Sequence, residues 1–140
     1  MSCSRRDLSL FLPALAAAGA AGQPKGMPSR CFRYEDLPVK MNGENSSRDV
    51  FKGVNHNGFP IDMHETELAP GKAPHPPHHH AHEELLVLRD GTLEVTILGK
   101  TTTVGAGGIV YVNSGEEHGW RNIGTTRARY YVLALGREQA

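Results

Sequence analysis

Residues 78–91 read His78-His79-His80-Ala81-His82-Glu83-Glu84-Leu85-Leu86-Val87-Leu88-Arg89-Asp90-Gly91. Within this run lies His78-x-His80-x3-Glu84-x6-Gly91, three metal-ligand types at the head of an apolar, strand-like segment. In extended chain, side chains two residues apart point the same way, so His78 and His80 share a face. A fourth ligand type, His118, sits in Gly107-x5-Asn113-x-Gly115-x2-His118-x3-Asn122. A closed sheet would bring the two blocks together, and His78, His80, Glu84 and His118 would then form a His3Glu set. Imidazoles with one carboxylate suit Fe, Mn, Zn, Ni or Cu, and no thiolate is near enough to draw the set toward soft metals.

At these spacings the chain resembles the cupin superfamily across residues 61–136. The family's first block is Gly-x5-His-x-His-x3,4-Glu-x6-Gly and its second Gly-x5-Pro-x-Gly-x2-His-x3-Asn. Two positions depart from that pattern: Gly71 stands one residue too far from His78, and Asn113 replaces the proline. Both fall in turns, where an inserted residue or an Asn is tolerated. All four ligand positions are kept. The resemblance implies an all-β fold, a single cupin jelly-roll β-barrel (double-stranded β-helix). A His-rich low-complexity loop would account for four His among residues 78–82, but not for Glu84, Gly91 and the second block at matching distances. His79 is expected to face away from the ligands and His75, in a proline-rich stretch, to face solvent. His82 shares parity with His80 and stands as either a further ligand or a residue behind the ligands.

The rest of the chain reads as short strands separated by turn signals. From residue 61 these are Ile61–Leu68, Glu84–Leu88, Thr92–Leu98, Ile109–Val112, His118–Ile123 and Arg129–Leu135, with Asp90-Gly91 and Gly99-Lys100 as hairpin signals. Residues 23–60 form a linker followed by N-terminal strands at Val39–Met41 and Val50–Val54. Trp120 shares parity with His118 and Asn122, and serves as core filler or as a wall of the ligand cavity. Cys31, next to Phe32, is expected to be a buried small apolar residue.

At the N-terminus, Ser4-Arg5-Arg6-Asp7-Leu8 precedes a weakly apolar stretch of small residues with Ala18-Gly19-Ala20 as a cleavage site. The paired arginines resemble a twin-arginine export signal, although Leu8 stands where Phe is preferred. A general secretory signal and an uncleaved helix are the alternatives. Residues 1–22 are thus expected to be an export signal peptide, and the protein to be periplasmic or secreted. The chain carries 15 Lys and Arg against 15 Asp and Glu; losing Arg5, Arg6 and Asp7 leaves it slightly acidic. With no basic stripe interleaved with aromatics, nucleic acid is excluded as a partner. No segment is long and apolar enough for a stable membrane span.

A twin-arginine route exports folded proteins, so the site would fill in the cytoplasm, which favours Fe(II) or Mn(II) over Zn, Ni or Cu. Four protein ligands leave up to two positions of an octahedral ion open to a small molecule. The resemblance implies a metal-dependent oxidoreductase (dioxygenase-like) or isomerase acting on a small molecule. The alternative is a non-catalytic metal-containing binding or structural module. Glu116 and Glu117, beside His118, are candidates for a proton shuttle at the rim. The resemblance also implies pairing into a homodimer through the sheets.

Overall fold

The computed structural model describes residues 26–137. Their order is a 3-10 turn at Tyr34–Asp36, then β1 (Val39–Asn42), β2 (Asn45–Val54), β3 (Pro60–Leu68), β4 (Glu83–Asp90), β5 (Thr92–Ile97), β6 (Lys100–Gly105), β7 (Ile109–Val112), β8 (His118–Asn122) and β9 (Ala128–Leu135). Every ladder is antiparallel. One sheet runs β1-β2-β3-β9-β4-β7 and the other β6-β5-β8, so the chain changes sheet at each of the β4–β5, β6–β7, β7–β8 and β8–β9 connections. That is a jelly roll, closed by packing one sheet face on the other rather than by a continuous ladder of hydrogen bonds.

Period-two alternation decides which face is inside. From the larger sheet Leu68, Leu86, Leu88, Val110, Val112, Ala128, Tyr130 and Val132 point inward; from the smaller sheet Leu93, Val95 and Trp120 meet them. The register places Leu86 between Val110 and Val132, and Leu88 beside Tyr130. Glu84 has the same parity as Leu86 and Leu88 and therefore faces inward, at the end of the core where the leucines stop.

The expected strands appear, with two differences. β2 begins at Asn45, five residues ahead of the expected Val50, and carries a bulge between Asp49 and Phe51 that resets its register on β3. β6 was not anticipated: Thr101-Thr102-Thr103-Val104 reads as a polar turn, yet β-branched threonines suit a half-solvated strand. The strands ahead of residue 61 extend the same sheet as the rest. Cys31 corrects its expectation, because it is exposed. Its segment runs over the outer face of the sheet, where Tyr34 donates to the buried Glu65 at 3.3 Å and lies under the guanidinium of Arg48.

Candidate metal centre

The two His of the first block lie outside any strand, since β4 starts only at Glu83. What orients them is a set of backbone bonds to the second block. His78 and His118 form a reciprocal pair, His78 N–H to His118 O at 3.0 Å and His118 N–H to His78 O at 2.8 Å. Such a pair sets two Cα atoms about 5.5 Å apart with both side chains on one face. The turn before β8 is hung on the same loop: Gly115 N–H donates to His80 O at 2.8 Å and the Ser114 hydroxyl to Ala81 O at 2.6 Å. Asn113, in the proline's place, starts this turn, its carbonyl accepting from Glu116 N–H at 3.3 Å.

The four expected ligands converge. Ring centroids are 5.2 Å apart for His78 and His80, 4.7 Å for His78 and His118, and 4.8 Å for His80 and His118. Imidazoles at right angles on one ion, with a metal–nitrogen bond of about 2.1 Å, would have centroids about 4.6 Å apart. Glu84 Oε1 is 3.3 Å from His80 Nε2, and Oε2 is 3.4 Å from His118 Nε2. These separations exceed the ~2.8 Å of a charge-assisted hydrogen bond but match two donors on one ion, ~3.0–3.4 Å. His80 and His118 each turn Nδ1 to a backbone carbonyl, of His82 and Glu116, at 2.8 Å. That contact fixes the tautomer that leaves Nε2 free as a ligand.

Four buried polar atoms here have no hydrogen-bond partner: His78 Nδ1, His80 Nε2, Glu84 Oε2 and His118 Nε2. Leaving a buried polar atom unpaired costs about 1–3 kcal/mol, so four together in one cluster mark a place for a cation. The donor set fits a divalent ion. The electrostatics agree. Burial would raise the Glu84 carboxyl, yet the contact with His118 and the charges of His80, His118 and His82 outweigh it and hold it down to about 2. Burial and the neighbouring imidazoles push His78 down to about 4, so it is neutral and able to ligate at ordinary pH.

His82 does not join this set on one ion. Its ring lies flat on His80, with centroids 3.6 Å apart and planes within 9°, too close for two ligands of one cation. Its Nε2 is 3.5 Å from Glu84 Oε1, so with His80 and Glu84 it makes a second, overlapping cluster of ligand types. His79 and His75 are exposed, as expected. Trp120 is both core and wall: it is 6% exposed, donates Nε1–H to Tyr130 OH at 2.8 Å and lies over His118. Asn122 is wholly buried and clamps the turn after β8, donating to Leu68 O and Thr126 O and accepting from Gly124 N–H.

Two cavities meet at Glu84. The larger, about 640 Å³, is lined by His78, His80, His82 and Glu84, by Asp62 and His64 of β3, and by Ala134 of β9. The smaller, about 320 Å³, shares His64 and Glu84 and adds Asp49, Thr66, Trp120 and Tyr130. His64 is the wall residue that motif spacing missed. Its signal was the alternation of Ile61–Leu68, which puts Asp62, His64, Thr66 and Leu68 on one face. Neither Glu116 nor Glu117, the candidates for a proton shuttle at the rim, lines either cavity.

Residues 64–134 match the Cupin_2 family, described as a cupin domain. The chain belongs to the cupin family. Solved cupins have the same fold. An RmlC-like cupin from Shewanella frigidimarina is 17% identical, with 81% of this chain and 95% of that one covered and a TM-score of 0.65. A predicted oxalate decarboxylase from Thermotoga maritima is 19% identical over 77% of this chain and all of that one, with a TM-score of 0.67. An oxalate oxidase in complex with glycolate reaches 25% identity over 69% of this cupin and 53% of its own chain, with a TM-score of 0.57. No curated protein matches in sequence.

Proposed function

We propose that this cupin is an exported, metal-dependent oxidoreductase of the dioxygenase-like kind, or an isomerase, acting on a small oxygen-rich molecule, with His78, His80, Glu84 and His118 holding Fe(II) or Mn(II). The four unpartnered buried atoms carry the metal reading. When bound, a divalent ion supplies Lewis acidity and, for Fe or Mn, one-electron chemistry. The residues of this chain do the rest. Three neutral imidazoles leave Glu84 as the single anionic ligand, which limits neutralisation of the cation and keeps it electrophilic. The buried Leu86 and Leu88 exclude water from the core side of the cluster, and the larger cavity admits a substrate from the other. Solved cupins named for oxalate and for glycolate as a bound analogue support a small substrate with adjacent oxygens.

Export rests on the N-terminal sequence, which lies outside the described residues; among those described, no helix is long and apolar enough to cross a membrane. We also propose that two chains pair through the outer face of the larger sheet, where Val87, Ile109 and Tyr111 are exposed. The deciding experiment has two parts. Native protein is purified from its own compartment for N-terminal sequencing and metal analysis, with Fe or Mn at one per chain and a start between about residues 19 and 25 expected. Wild type and Glu84→Gln, equally loaded with Fe(II) or Mn(II), are then compared for O2 uptake and for isomerisation with enediols, β-diketones, catechols and short α-hydroxy acids. Turnover by wild type that falls at least tenfold in Glu84→Gln is expected. Absence of turnover in both, with occupancy confirmed, would favour the non-catalytic module.

A further inference from the structure

We propose that His64 is the proton-transfer residue of this centre, facing across the cavity whatever small molecule occupies the open side of the metal; this rests on the metal reading above. Three observations place it there. His64 lines both cavities, and apart from it only Glu84 does so. It stands on β3, two strands from β4, with β9 between. At ~4.8 Å per strand, its Cα is therefore about 10 Å or more from that of Glu84, and its ring nitrogens belong to neither group of ligand atoms lying within 4.8 Å of one another, so a small molecule can be held between them. His64 is in register with Val132 of β9, and the next inward β9 residue, in register with Glu84, is Ala134, whose methyl leaves space between the two side chains.

His64 is also uncommitted. Among the described residues its ring makes no hydrogen bond and no ion pair, whereas His80 and His118 are both fixed by backbone carbonyls. The titratable and charged groups that line the two cavities with it are Asp49 and Lys52 from β2, Asp62 on its own strand, Glu84 from β4, the imidazoles of His75, His78, His80 and His82 from the loop before β4, and Arg137 beyond β9. Three of these are already paired, Asp49 with Lys40, and Asp62 and Lys52 with each other at 3.3 Å. Imidazole is the side chain that changes charge between pH 5 and 8. In the protonated form a ring N–H of His64 gives its proton to a substrate oxygen as negative charge develops there. The neutral ring is then reprotonated from solvent through the smaller cavity, whose lining includes the exposed Asp49 and His75.

The test uses the full chain loaded with Co(II), and azide as the probe, read by the cobalt visible bands from pH 5.5 to 8.5. In wild type, azide affinity falls in a histidine-range step as pH rises, because the imidazolium that donates to the bound anion is lost. His64→Gln keeps size and polarity but abolishes the step. His64→Phe binds azide about tenfold more weakly at the acid end, with cobalt content unchanged. The step surviving in both variants, or surviving in His64→Gln and vanishing in His82→Gln, would overturn the proposal. Failure of the wild type to take up cobalt would overturn the metal reading itself, and this inference with it. If His64→Phe does not fold, the near-isosteric His64→Gln decides the matter.

Discussion

At the scale of single residues, the site separates imidazoles placed to ligate an ion from those that surround them. His80 and His118 present Nε2 to the cluster because each Nδ1 is held by a carbonyl two residues away along the chain. His79, exposed and one residue from each of two ligands, has no such role. His80→Ala or His118→Ala should therefore bring bound metal toward zero, while His79→Ala should leave about one ion per chain, as measured by elemental analysis after gel filtration. Equal losses from all three would mean that a loose His tract binds the ion. Acid should act through a particular residue too. Burial alone would lower His118, but the contact with Glu84, the Glu116 carbonyl and the Glu84 charge outweigh it and raise its pKa in the metal-free protein. His78 is instead held near 4. Metal binding must expel the His118 proton once pH drops below that raised value. The apparent affinity should thus begin to fall at a pH above the ordinary histidine value and weaken about tenfold per unit below that point, a slope that titration calorimetry in buffers of different ionisation enthalpy will read. Protonation of His78 adds to the slope only near pH 4.

At the scale of elements, the sequence made some parts legible and hid others for physical reasons. Ligand spacing was readable because β-structure has a fixed two-residue period and the first block ends in a residue that only a tight turn explains. Gly91 shows this. It sits at φ +91 between β4 and β5, and a Cβ added there would lie 2.7 Å from the Ala128 Cα. Gly91→Ala should cost roughly 2–3 kcal/mol, seen as a lower midpoint in urea with unchanged metal stoichiometry in the folded fraction. Asn122, four residues past His118, is legible only as a spacing; its role as a three-way clamp depends on Leu68, 54 positions away in sequence. The same holds for the loop that carries His78 and His80. Parity predicted their common face correctly, but the cause is the backbone pairing with His118 rather than membership of a strand. His82 was legible only as a ligand or a residue behind the ligands, and His64 was not singled out by its local sequence. Stacking of His82 on His80 keeps the expected shared face but makes it a neighbour of the ligand set, and the position of His64 across the cavity from Glu84 arises from β9 entering between β3 and β4, a long-range ordering that no short motif encodes.

At the scale of the whole molecule, the larger sheet has two faces with different fates. The inner face is filled by the core and the metal cluster. The outer face is covered on the β2–β3 side by the N-terminal segment, with Tyr34 against Arg48 and Glu65. On the β4–β7 side the register sets Val87 opposite Ile109 and Leu85 opposite Tyr111, and Ile109 and Tyr111 are 66% and 56% exposed. β7 is also an edge strand, so its outward backbone groups are free to pair or to be solvated. A stable interface needs about 1,000 Å² or more of buried surface, more than three side chains supply, so the proposed homodimer must bring together the whole β4–β7 face, including Leu85 and the flanking Tyr131. This reading makes a demand on a double variant. Ile109→Lys with Tyr111→Lys places two cations where the two copies would meet, while both side chains point away from the core and from the ligands. The expected outcome is a change from dimer to monomer by light scattering at micromolar concentration, with unchanged β-sheet circular dichroism and one bound metal per chain. A wild type that is already monomeric across that range would remove the outer face as an interface. A dimer that survives both lysines would place the contact elsewhere, with the other edge at β1, where Val39 and Met41 are exposed, the next surface to probe.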